Sequence, residues 1–396
     1  MKFSVLLPTR NRLEYLKYAI DSVLHQDYQN WEIIVSDNHS EENIKQHIDQ
    51  LNDNRIKYFR TDSFIPVTAN WNNAMDKSMG DYVIMLGDDD CLMKNYFTTM
   101  VALLSKFPNP DFVYTGTFLF AYPNVLPWRP KGLLQKFGNA SFLKDKKEPF
   151  WLSKEESILL VKEAFNFKIM FNYNIQFSLI SRHFIEELKT TGSFFNSPYP
   201  DYYATIVMML KGKKILACPA PLVTIGICPK SFGYYYFSNS EKKGTHTLNN
   251  SSDKTSLSSL QKILLPGTDM NDCWLSSLAC VKEKFPLSGL KINTSRYRLL
   301  QIIQTFQLHT LGKESNIQNI KALWSKLSWR EKLTTGLFFR CAYSLIKPFP
   351  YRIREKLAHL LAYLGGSNPR HGSINIEGPY ENISQVFHTI DPSNFI

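Results

Sequence analysis

The segment Tyr82-Val83-Ile84-Met85-Leu86-Gly87-Asp88-Asp89-Asp90 joins a run of apolar residues to three adjacent aspartates. The apolar part is typical of a buried strand, and the acidic part begins where that strand ends. Three neighbouring carboxylates repel one another, and each is most stable in water. A divalent cation that binds carboxylates together with phosphate oxygens would offset this repulsion. The segment therefore predicts a buried strand that ends at a metal-bridged phosphate site.

Upstream of this segment, short apolar runs alternate with helical patterns. Between the first two runs, Leu16, Ile20 and Val23 recur at helical spacing. Strands that alternate with helices in this way form a parallel sheet covered by helices. We therefore predict a β-α-β-α-β-α-β order. The predicted strands are 3–7, 31–35, 56–59 and 82–86, and the predicted helices lie near 16–24, 44–51 and 70–78.

Polar clusters follow three of the predicted strands, at residues 8–12, 36–40 and 87–90. In an open parallel sheet, ligands bind outside the carboxyl ends of the strands. We therefore expect the three clusters to meet in one cleft. Each cluster alone could instead be an ordinary turn in which Asn, Asp or Ser caps the next helix.

The composition describes an ordered globular chain with an excess of positive charge. Of its 396 residues 44% are hydrophobic, which is enough for a sizeable core. The formal net charge is +11, and residues 311–360 hold ten Lys or Arg against three acidic residues. This balance favours anionic partners, which include nucleic acid, anionic lipid head groups and nucleotide diphosphates.

The cysteines and the apolar segments bear on the cellular compartment. The six cysteines lack the short paired spacings of zinc or redox sites, so we expect free thiols in a reducing compartment. The first apolar run, 3–7, is too short for a secretory signal. The stretch nearest to a membrane span, 333–346, is interrupted by Arg340. We therefore expect a cytoplasmic protein without a spanning helix.

Beyond residue 107 the sequence pattern is less regular. Residues 108–151 are rich in Pro, Gly and aromatic residues, which predicts an irregular excursion over the sheet. Residues 238–259 are rich in Ser, Asn, Thr and Lys, which indicates a mobile loop or linker. We also predict helices at 155–165 and 201–210, a short strand at 214–217, an edge strand at 222–225, and a mostly helical region after the linker.

Motifs that follow one another along residues 2–226 resemble those of the inverting glycosyltransferases of family 2. They are residues 4–12 (SVLLPTRNR), residues 34–40 (IVSDNHS), Asn70-Trp71-Asn72, the acidic run, and Asp201 ahead of Gly212. Their order and spacing carry the resemblance more than any one of them. It implies the GT-A fold, which is a Rossmann-like α/β fold with a mixed, mainly parallel sheet and helices on both faces. A mostly helical C-terminal extension would follow this fold.

The resemblance also implies a function and a division of the chain. The implied reaction moves a sugar from a nucleotide diphosphate sugar to a hydroxyl of a glycan or lipid-linked acceptor, as in the biosynthesis of cell-surface polysaccharides. The glycosyltransferase domain would span 1–237, with a nucleotide-sugar-binding half at 1–107 and an acceptor-binding half at 108–237. The linker at 238–259 and a basic, mostly helical extension at 260–396 would complete the chain.

The resemblance assigns the nucleotide to residues at the strand ends. It places Asp37 at the imide N–H of a uracil base, so that a UDP-sugar is the expected donor. The two arginines after Pro8 could equally be surface charges, and Asp37 could merely cap a helix. The residues expected to bind the nucleotide or its diphosphate are Pro8, Thr9, Arg10, Arg12, Asp37, Asn70 and Asp88.

The acidic run departs from the common family form Leu-Asp-x-Asp-Asp, because Gly87 stands where the first aspartate would be. The expected cofactor is Mg²⁺ or Mn²⁺, held by one or two carboxylates and the donor phosphates. We expect Asp89 to be the main metal ligand and Asp88 to face the ribose or the metal. Asp90 is expected to be a second ligand or a helix cap.

Asp201 resembles the aspartate of the Glu-Asp pair that serves as general base in this family, although Pro200 replaces the glutamate. An inverting transfer needs a carboxylate that takes the proton of the acceptor hydroxyl. The alternative is that Asp201 only caps its helix. Lys230 could contact the diphosphate or be an ordinary solvated lysine, and His246 is expected to be merely exposed.

The C-terminal region contains a basic amphipathic helical pattern. An apolar stripe lies beside basic residues and consists of Ile353, Leu357, Leu360, Leu361 and Leu364. This helix could bind the inner face of a membrane peripherally or simply pack on a domain.

The alternative functions are a non-catalytic nucleotide-sugar-binding relative, a sugar-phosphate nucleotidyltransferase and a nucleic-acid binder. The turn 7–9 lacks the glycines of a nucleotidyltransferase phosphate loop. The carboxylate cluster would repel a nucleic-acid backbone unless a metal were present, so no nucleic-acid partner is expected.

Overall fold

The computed structural model describes residues 1–126, 128–237, 244, 260, 262–286, 289–311, 317–364 and 373–395. The predicted linker 238–259 lies outside the described residues apart from Gly244, and His246 lies outside them as well. The strands in these ranges are β1 (Phe3–Thr9), β2 (Trp31–Asp37), β3 (Ile56–Arg60), β4 (Tyr82–Met85), β5 (Cys91–Leu92), β6 (Phe112–Ala121), β7 (Leu133–Phe137), β8 (Phe150–Leu152), β9 (Ser178–Ser181), β10 (Ile215–Ile227) and β11 (Ile374–Ile376).

Some helices begin where a capping residue or a proline favours a start, for example at the capping box formed by Ser153 and Glu156. The α-helices in the described ranges are α1 (Leu13–Leu24), α2 (Ile44–Leu51), α3 (Val67–Asp76), α4 (Tyr96–Lys106), α5 (Lys154–Phe165), α6 (Arg182–Lys189), α7 (Pro200–Lys211), α8 (Phe232–Phe237), α9 (Asp269–Lys284), α10 (Thr294–Leu311), α11 (Ile317–Lys326), α12 (Trp329–Glu331), α13 (Leu337–Ile346), α14 (Tyr351–Leu364) and α15 (Ile383–Thr389). A π-helical turn, Lys332–Gly336, joins α12 to α13.

The predicted order of the first strands and helices is confirmed. The strands β3, β2, β1 and β4 lie side by side and parallel, with β1 between β2 and β4. Every residue of β2 is buried, as are most residues of β1, which explains their continuous apolar runs. The sheet is mixed, because β9 and β7 continue it with antiparallel pairs. This is the predicted α/β class with a helical C-terminal region.

The prediction of an irregular excursion at 108–151 is wrong for residues 112–121. Residues 112–121 form β6, a long and almost wholly buried strand that pairs with β7, β9 and β10. Its aromatic and threonine residues are strand formers, and they outweigh the loop signal of the surrounding prolines. Gly116 is required by packing, because a Cβ there would lie 2.4 Å from the carbonyl oxygen of Pro219. The glycine therefore marks a close approach of two strands.

The two short strands predicted at 214–217 and 222–225 are one strand, β10, which is buried along its whole length. It runs parallel to β6, and it also pairs with β5 and β8, so it is not the predicted edge strand. The register shifts between Cys218 and Val223, where the prolines interrupt the ladder. This irregularity made one strand look like two in the sequence.

The end of the chain returns to the sheet after the helices α9–α14. The strand β11 pairs with β7, and Ile383, Val386 and Phe387 of α15 pack in the same apolar cluster as Tyr15 of α1 and Phe118 of β6. The helices α10, α11, α13 and α14 form a separate apolar cluster. Among the described helices, none has the length and apolar character needed to cross a membrane.

Candidate active site

The carboxyl ends of β1, β2 and β4 lie at one edge of the sheet. Thr9 at the end of β1 is in register with Asp37 at the end of β2. The Thr9 hydroxyl donates a 2.8 Å hydrogen bond to Asp88, which follows β4. The structure therefore brings residues of all three polar clusters together.

The acidic turn after β4 is shaped by Asp90. Its Oδ2 accepts the backbone N–H of Gly87 at 2.9 Å, and its Oδ1 accepts that of Gly226 in β10 at 2.8 Å. Burial, followed by the charge of Asp89, raises the pKa of Asp90 well above its usual value, although both amides oppose this shift. Both carboxylate oxygens of Asp90 thus bind backbone amides and hold the turn against β10.

Gly226 is a part of this site that sequence reasoning missed. A Cβ at this position would lie 1.8 Å from the carbonyl oxygen of Asp89, which is far inside van der Waals contact. The acidic turn and β10 can approach so closely only because residue 226 has no side chain. A glycine within a strand was the available signal, but its partner is more than a hundred residues away in sequence.

Asp88 is paired with Arg12 inside the protein. One guanidinium nitrogen of Arg12 lies 2.5 Å from Asp88 Oδ1 and 3.3 Å from Asp89 Oδ1. Burial raises the pKa of Asp88, and the charge of Arg12 opposes this shift. Asp88 therefore has its two oxygens on the Thr9 hydroxyl and on Arg12.

The segment after β10 covers Arg12. The second guanidinium nitrogen of Arg12 donates to the carbonyl oxygen of Lys230, and the Lys230 ammonium donates to the carbonyl oxygen of Asn11 at 2.6 Å. These reciprocal contacts hold residues 228–231 against the turn after β1. Lys230 is thus placed beside the predicted diphosphate residues, while half of its side chain is exposed.

Asp89 differs from its two neighbours because one of its oxygens is unused. The residue is 6% exposed, and its Oδ2 accepts no hydrogen bond from any described residue. Burying a carboxylate oxygen without a partner is costly, so the atom fits a bound cation or a donor group of a ligand. Within the described ranges, no group of three or more His, Cys, Asp or Glu side chains is arranged to hold a metal. A cation here would therefore depend on oxygens that the ligand itself supplies.

Asp37 is buried and is held from two sides. Its Oδ1 accepts the backbone N–H of Ser40 at 2.9 Å, and its Oδ2 accepts the Tyr58 hydroxyl at 2.6 Å. The Arg60 guanidinium lies 3.9 Å from Oδ2. Burial and then the hydrogen bond to Asp37 raise the pKa of Tyr58. Tyr58 is a second site residue that sequence reasoning missed, because it comes from the neighbouring strand β3.

The other predicted nucleotide residues lie around the same strand ends. Asn70 is buried and exchanges hydrogen bonds with Ser36, so it fastens α3 to the end of β2. The Arg10 guanidinium stacks 3.9 Å above the Phe64 ring, and its buried Nε has no hydrogen-bond acceptor among the described residues. Pro8 is partly buried next to Thr9.

Asp201 lies in the first turn of α7, as predicted, and accepts the backbone N–H of Tyr202 at 2.9 Å. Burial raises its pKa to about 6, although the backbone hydrogen bonds oppose the shift. The ring of Tyr199, just before the helix, lies 6.2 Å from that of Phe232. Phe232 follows the segment that covers Arg12, so this ring contact lies between the start of α7 and the residues next to the strand-end site.

The comparison with known families identifies the class. Residues 4–167 match the family model described as "Glycosyl transferase family 2". This match confirms the resemblance to family 2 glycosyltransferases that the motifs indicate, and the mixed, mainly parallel sheet is the α/β arrangement expected from it.

Several curated relatives are bacterial glycosyltransferases. The chain is 33% identical over 135 residues to a putative colanic acid biosynthesis glycosyl transferase, WcaA, of Escherichia coli. The aligned residues cover 32% of this chain and 48% of the relative. It is 39% identical over 103 residues to a Campylobacter jejuni GalNAc(5)-diNAcBac-PP-undecaprenol beta-1,3-glucosyltransferase, covering 25% of this chain and 33% of the relative. The chain therefore spans about half or less of these two proteins.

A third relative is matched over most of its length. It is the Escherichia coli protein UDP-Glc:alpha-D-GlcNAc-diphosphoundecaprenol beta-1,3-glucosyltransferase WfgD, 25% identical over 240 residues, or 53% of this chain and 93% of the relative. Among solved structures, residues 1–349 of TarS from S. aureus align with 91% of this chain and 92% of that one, at 12% identity and a TM-score of 0.47.

Proposed function

We propose that this protein is a metal-dependent inverting glycosyltransferase that moves a sugar from a UDP-sugar to a hydroxyl of a lipid-linked glycan. The observation that carries the proposal is the unused, buried Oδ2 of Asp89 at the meeting point of three strand ends. Buried carboxylate oxygens are otherwise paired, so this atom indicates a ligand. Two relatives support the acceptor class, because their names specify undecaprenol-linked sugars.

The donor base is expected to bind at Asp37. The carboxylate keeps lone pairs that are not used by Ser40 or Tyr58, and one of them can accept the imide N–H of uracil. Because both protein contacts fix the orientation of the carboxylate, the base would meet a rigid acceptor. The name of WfgD, which specifies UDP-Glc as donor, supports a uracil nucleotide.

The diphosphate is expected to lie between Asp89 and Arg12. Mg²⁺ or Mn²⁺, when bound, would stabilise the negative charge of the departing diphosphate. Asp89 would hold the ion, while Asp88 stays on the Thr9 hydroxyl. Arg12 can exchange its carboxylate contacts for phosphate oxygens, which its planar guanidinium binds well. Asp90 keeps the turn in place and is not needed as a ligand.

Asp201 is expected to take the proton of the acceptor hydroxyl as the oxygen attacks the sugar. A general base works best when its pKa is close to the working pH, and burial raises the pKa of Asp201 to about 6. A carboxylate whose pKa lies near the working pH can take up and release a proton, which supports the catalytic role.

The experiment is a transfer assay with a panel of nucleotide sugars and a synthetic polyprenyl-diphosphate-linked N-acetylglucosamine acceptor, with products read by mass spectrometry. We expect transfer from a UDP-sugar in the presence of Mn²⁺ and none with EDTA. The Asp201→Asn variant should lose about 10³-fold in transfer and bind UDP as well as the parent.

The matched control is Asp269→Asn, because Asp269 lies in the first turn of α9. If Asp201 only interacts with a helix terminus, both variants should behave alike, and Asp201 is then not the base. Binding of a UDP-sugar without transfer to any glycan or lipid-linked acceptor would favour the non-catalytic relative.

A further inference from the structure

The helical segment 329–346, made of α12, the π-helical turn and α13, is apolar on two opposite faces. One face carries Phe339, Tyr343 and Ile346, which are buried in the cluster with α10; the ring of Tyr343 stacks on Phe306 of that helix. A surface helix is ordinarily polar on the side that faces away from its neighbours. Here the far side is apolar as well.

The exposed face of this segment is a stripe of large apolar side chains. Leu333 and Leu337 are four residues apart, and Phe338 and Leu345 are seven residues apart, so each pair shares one side of the helix. Leu345 is 75% exposed, and Trp329 and Phe338 are 67% and 61% exposed. A contiguous apolar surface of this kind is rare on a protein that meets only water.

Further exposed apolar side chains follow in the next turn and helix. Of the sixteen large apolar side chains that are exposed in the described part of the chain, nine lie within residues 329–360. Those beyond α13 are Phe349, Tyr351, Ile353 and Leu360. We call the exposed apolar residues of 329–360 the apolar surface.

Positive charge surrounds the apolar surface. The basic residues there are Arg330, Lys332, Arg340, Lys347, Arg352, Arg354 and Lys356, against only Glu331 and Glu355. Glu331 is already paired with Arg298, at 2.6 and 2.8 Å. No ion pair joins any of these seven basic side chains to a described residue. Their charge is therefore available to an external anion.

We propose that the apolar surface binds an anionic lipid bilayer, with the leucines and aromatic rings in the boundary between head groups and acyl chains and the basic side chains on the lipid phosphates. Aromatic and leucine residues beside lysines and arginines are the composition of helices that lie in a membrane interface. A second protein chain would match the apolar stripe but would not require the surrounding positive charge. The proposal does not rest on the proposed transfer reaction, since it concerns a surface outside the strand-end site.

The test is flotation of the full chain with two kinds of vesicle, one of phosphatidylcholine alone and one that also contains phosphatidylglycerol. We expect binding to the anionic vesicles only, with a loss when salt is raised. Leu345→Glu should weaken binding about tenfold or more, because it removes one buried leucine from the bilayer. Its matched control is Leu159→Glu, since Leu159 is 56% exposed on α5 and should not affect binding.

Two further variants test the electrostatic contribution, and they apply even if Leu345→Glu fails to fold. Arg340→Gln and Lys347→Gln should each weaken binding to the anionic vesicles about fivefold. Equal binding to both vesicles, or equal loss in Leu159→Glu and Leu345→Glu, would overturn the proposal. The proposal would also be overturned if light scattering showed a dimer of the parent protein, if Leu345→Glu converted this dimer to a monomer, and if the parent bound neither kind of vesicle. None of these outcomes depends on the donor or the acceptor.

Discussion

Replacing Gly226 by alanine tests whether the acidic turn must lie at its observed distance from β10. The added Cβ would meet the carbonyl oxygen of Asp89 at 1.8 Å, whereas real Cβ atoms hardly ever approach another atom closer than 3.0 Å. The turn and the strand would therefore have to separate by about 1.2 Å or more. The carboxylate of Asp89 would move with its backbone.

The expected effect is much larger on activity than on stability. Overpacking by one methyl group costs about 1–3 kcal/mol, which a domain of this size tolerates. A displacement of about 1 Å in a catalytic centre costs about 100-fold in rate. We therefore expect Gly226→Ala to remain folded and to lose about 100-fold in transfer and a comparable part of its Mn²⁺-dependent UDP affinity.

The assay compares Gly226→Ala with Gly233→Ala in sugar transfer, UDP titration and thermal unfolding. Gly233 is the matched control, because a Cβ there would meet only the Ile227 side chain at 3.5 Å, an ordinary contact. If Gly226→Ala has the turnover and UDP affinity of the parent, then the position of Asp89 does not matter and the reasoning is refuted.

Three further predictions concern single residues of the site. Because Asp201 must be ionised to act as a base and burial raises its pKa to about 6, transfer should fall about tenfold per pH unit below pH 6, and a rate profile that is flat down to pH 5 would contradict this. Asp90→Asn places an amide N–H₂ opposite one of two backbone N–H donors, so it should lower the free energy of unfolding by about 1–3 kcal/mol in urea titrations; unchanged stability would show that neither bond matters. Arg12→Gln should weaken UDP binding about tenfold or more and leave binding of uridine unchanged in calorimetry, whereas an equal loss for both ligands would indicate a general structural defect.

The first half of the fold could be predicted because its signals are local. The strands β1, β2 and β4 are short, mostly apolar runs between turn residues, and the helical pattern at 44–51 predicts α2 at its observed bounds. The strand-end positions of Thr9, Asp37 and Asp88 then followed from the parallel order alone.

The later strands could not be predicted in the same way. The strand β6 is embedded between prolines and contains Gly116, so its local signals contradict one another. The strand β10 contains Pro219 and Pro221, and its continuity depends on pairing with β6 rather than on its own sequence. Tertiary pairing overrides local propensity in both strands.

The site shows the same limit at the level of side chains. The residue types and their strand-end places were predictable, but their partners were not. Asp90 meets Gly226, and Arg12 meets the carbonyl oxygen of Lys230, across gaps of 136 and 218 residues in sequence. These contacts separate the roles of Asp89 and Asp90, which the sequence pattern left open.

The most direct test of the metal-bridged diphosphate is calorimetric titration of UDP into the protein with Mn²⁺ and with EDTA, for the parent and for Asp89→Asn. The unused Oδ2 of Asp89 leads us to expect UDP binding that requires Mn²⁺ in the parent and is lost, or weakened by about 100-fold, in the variant. UDP that binds equally well with EDTA, or equally well to Asp89→Asn in the presence of Mn²⁺, would contradict the assignment of this carboxylate.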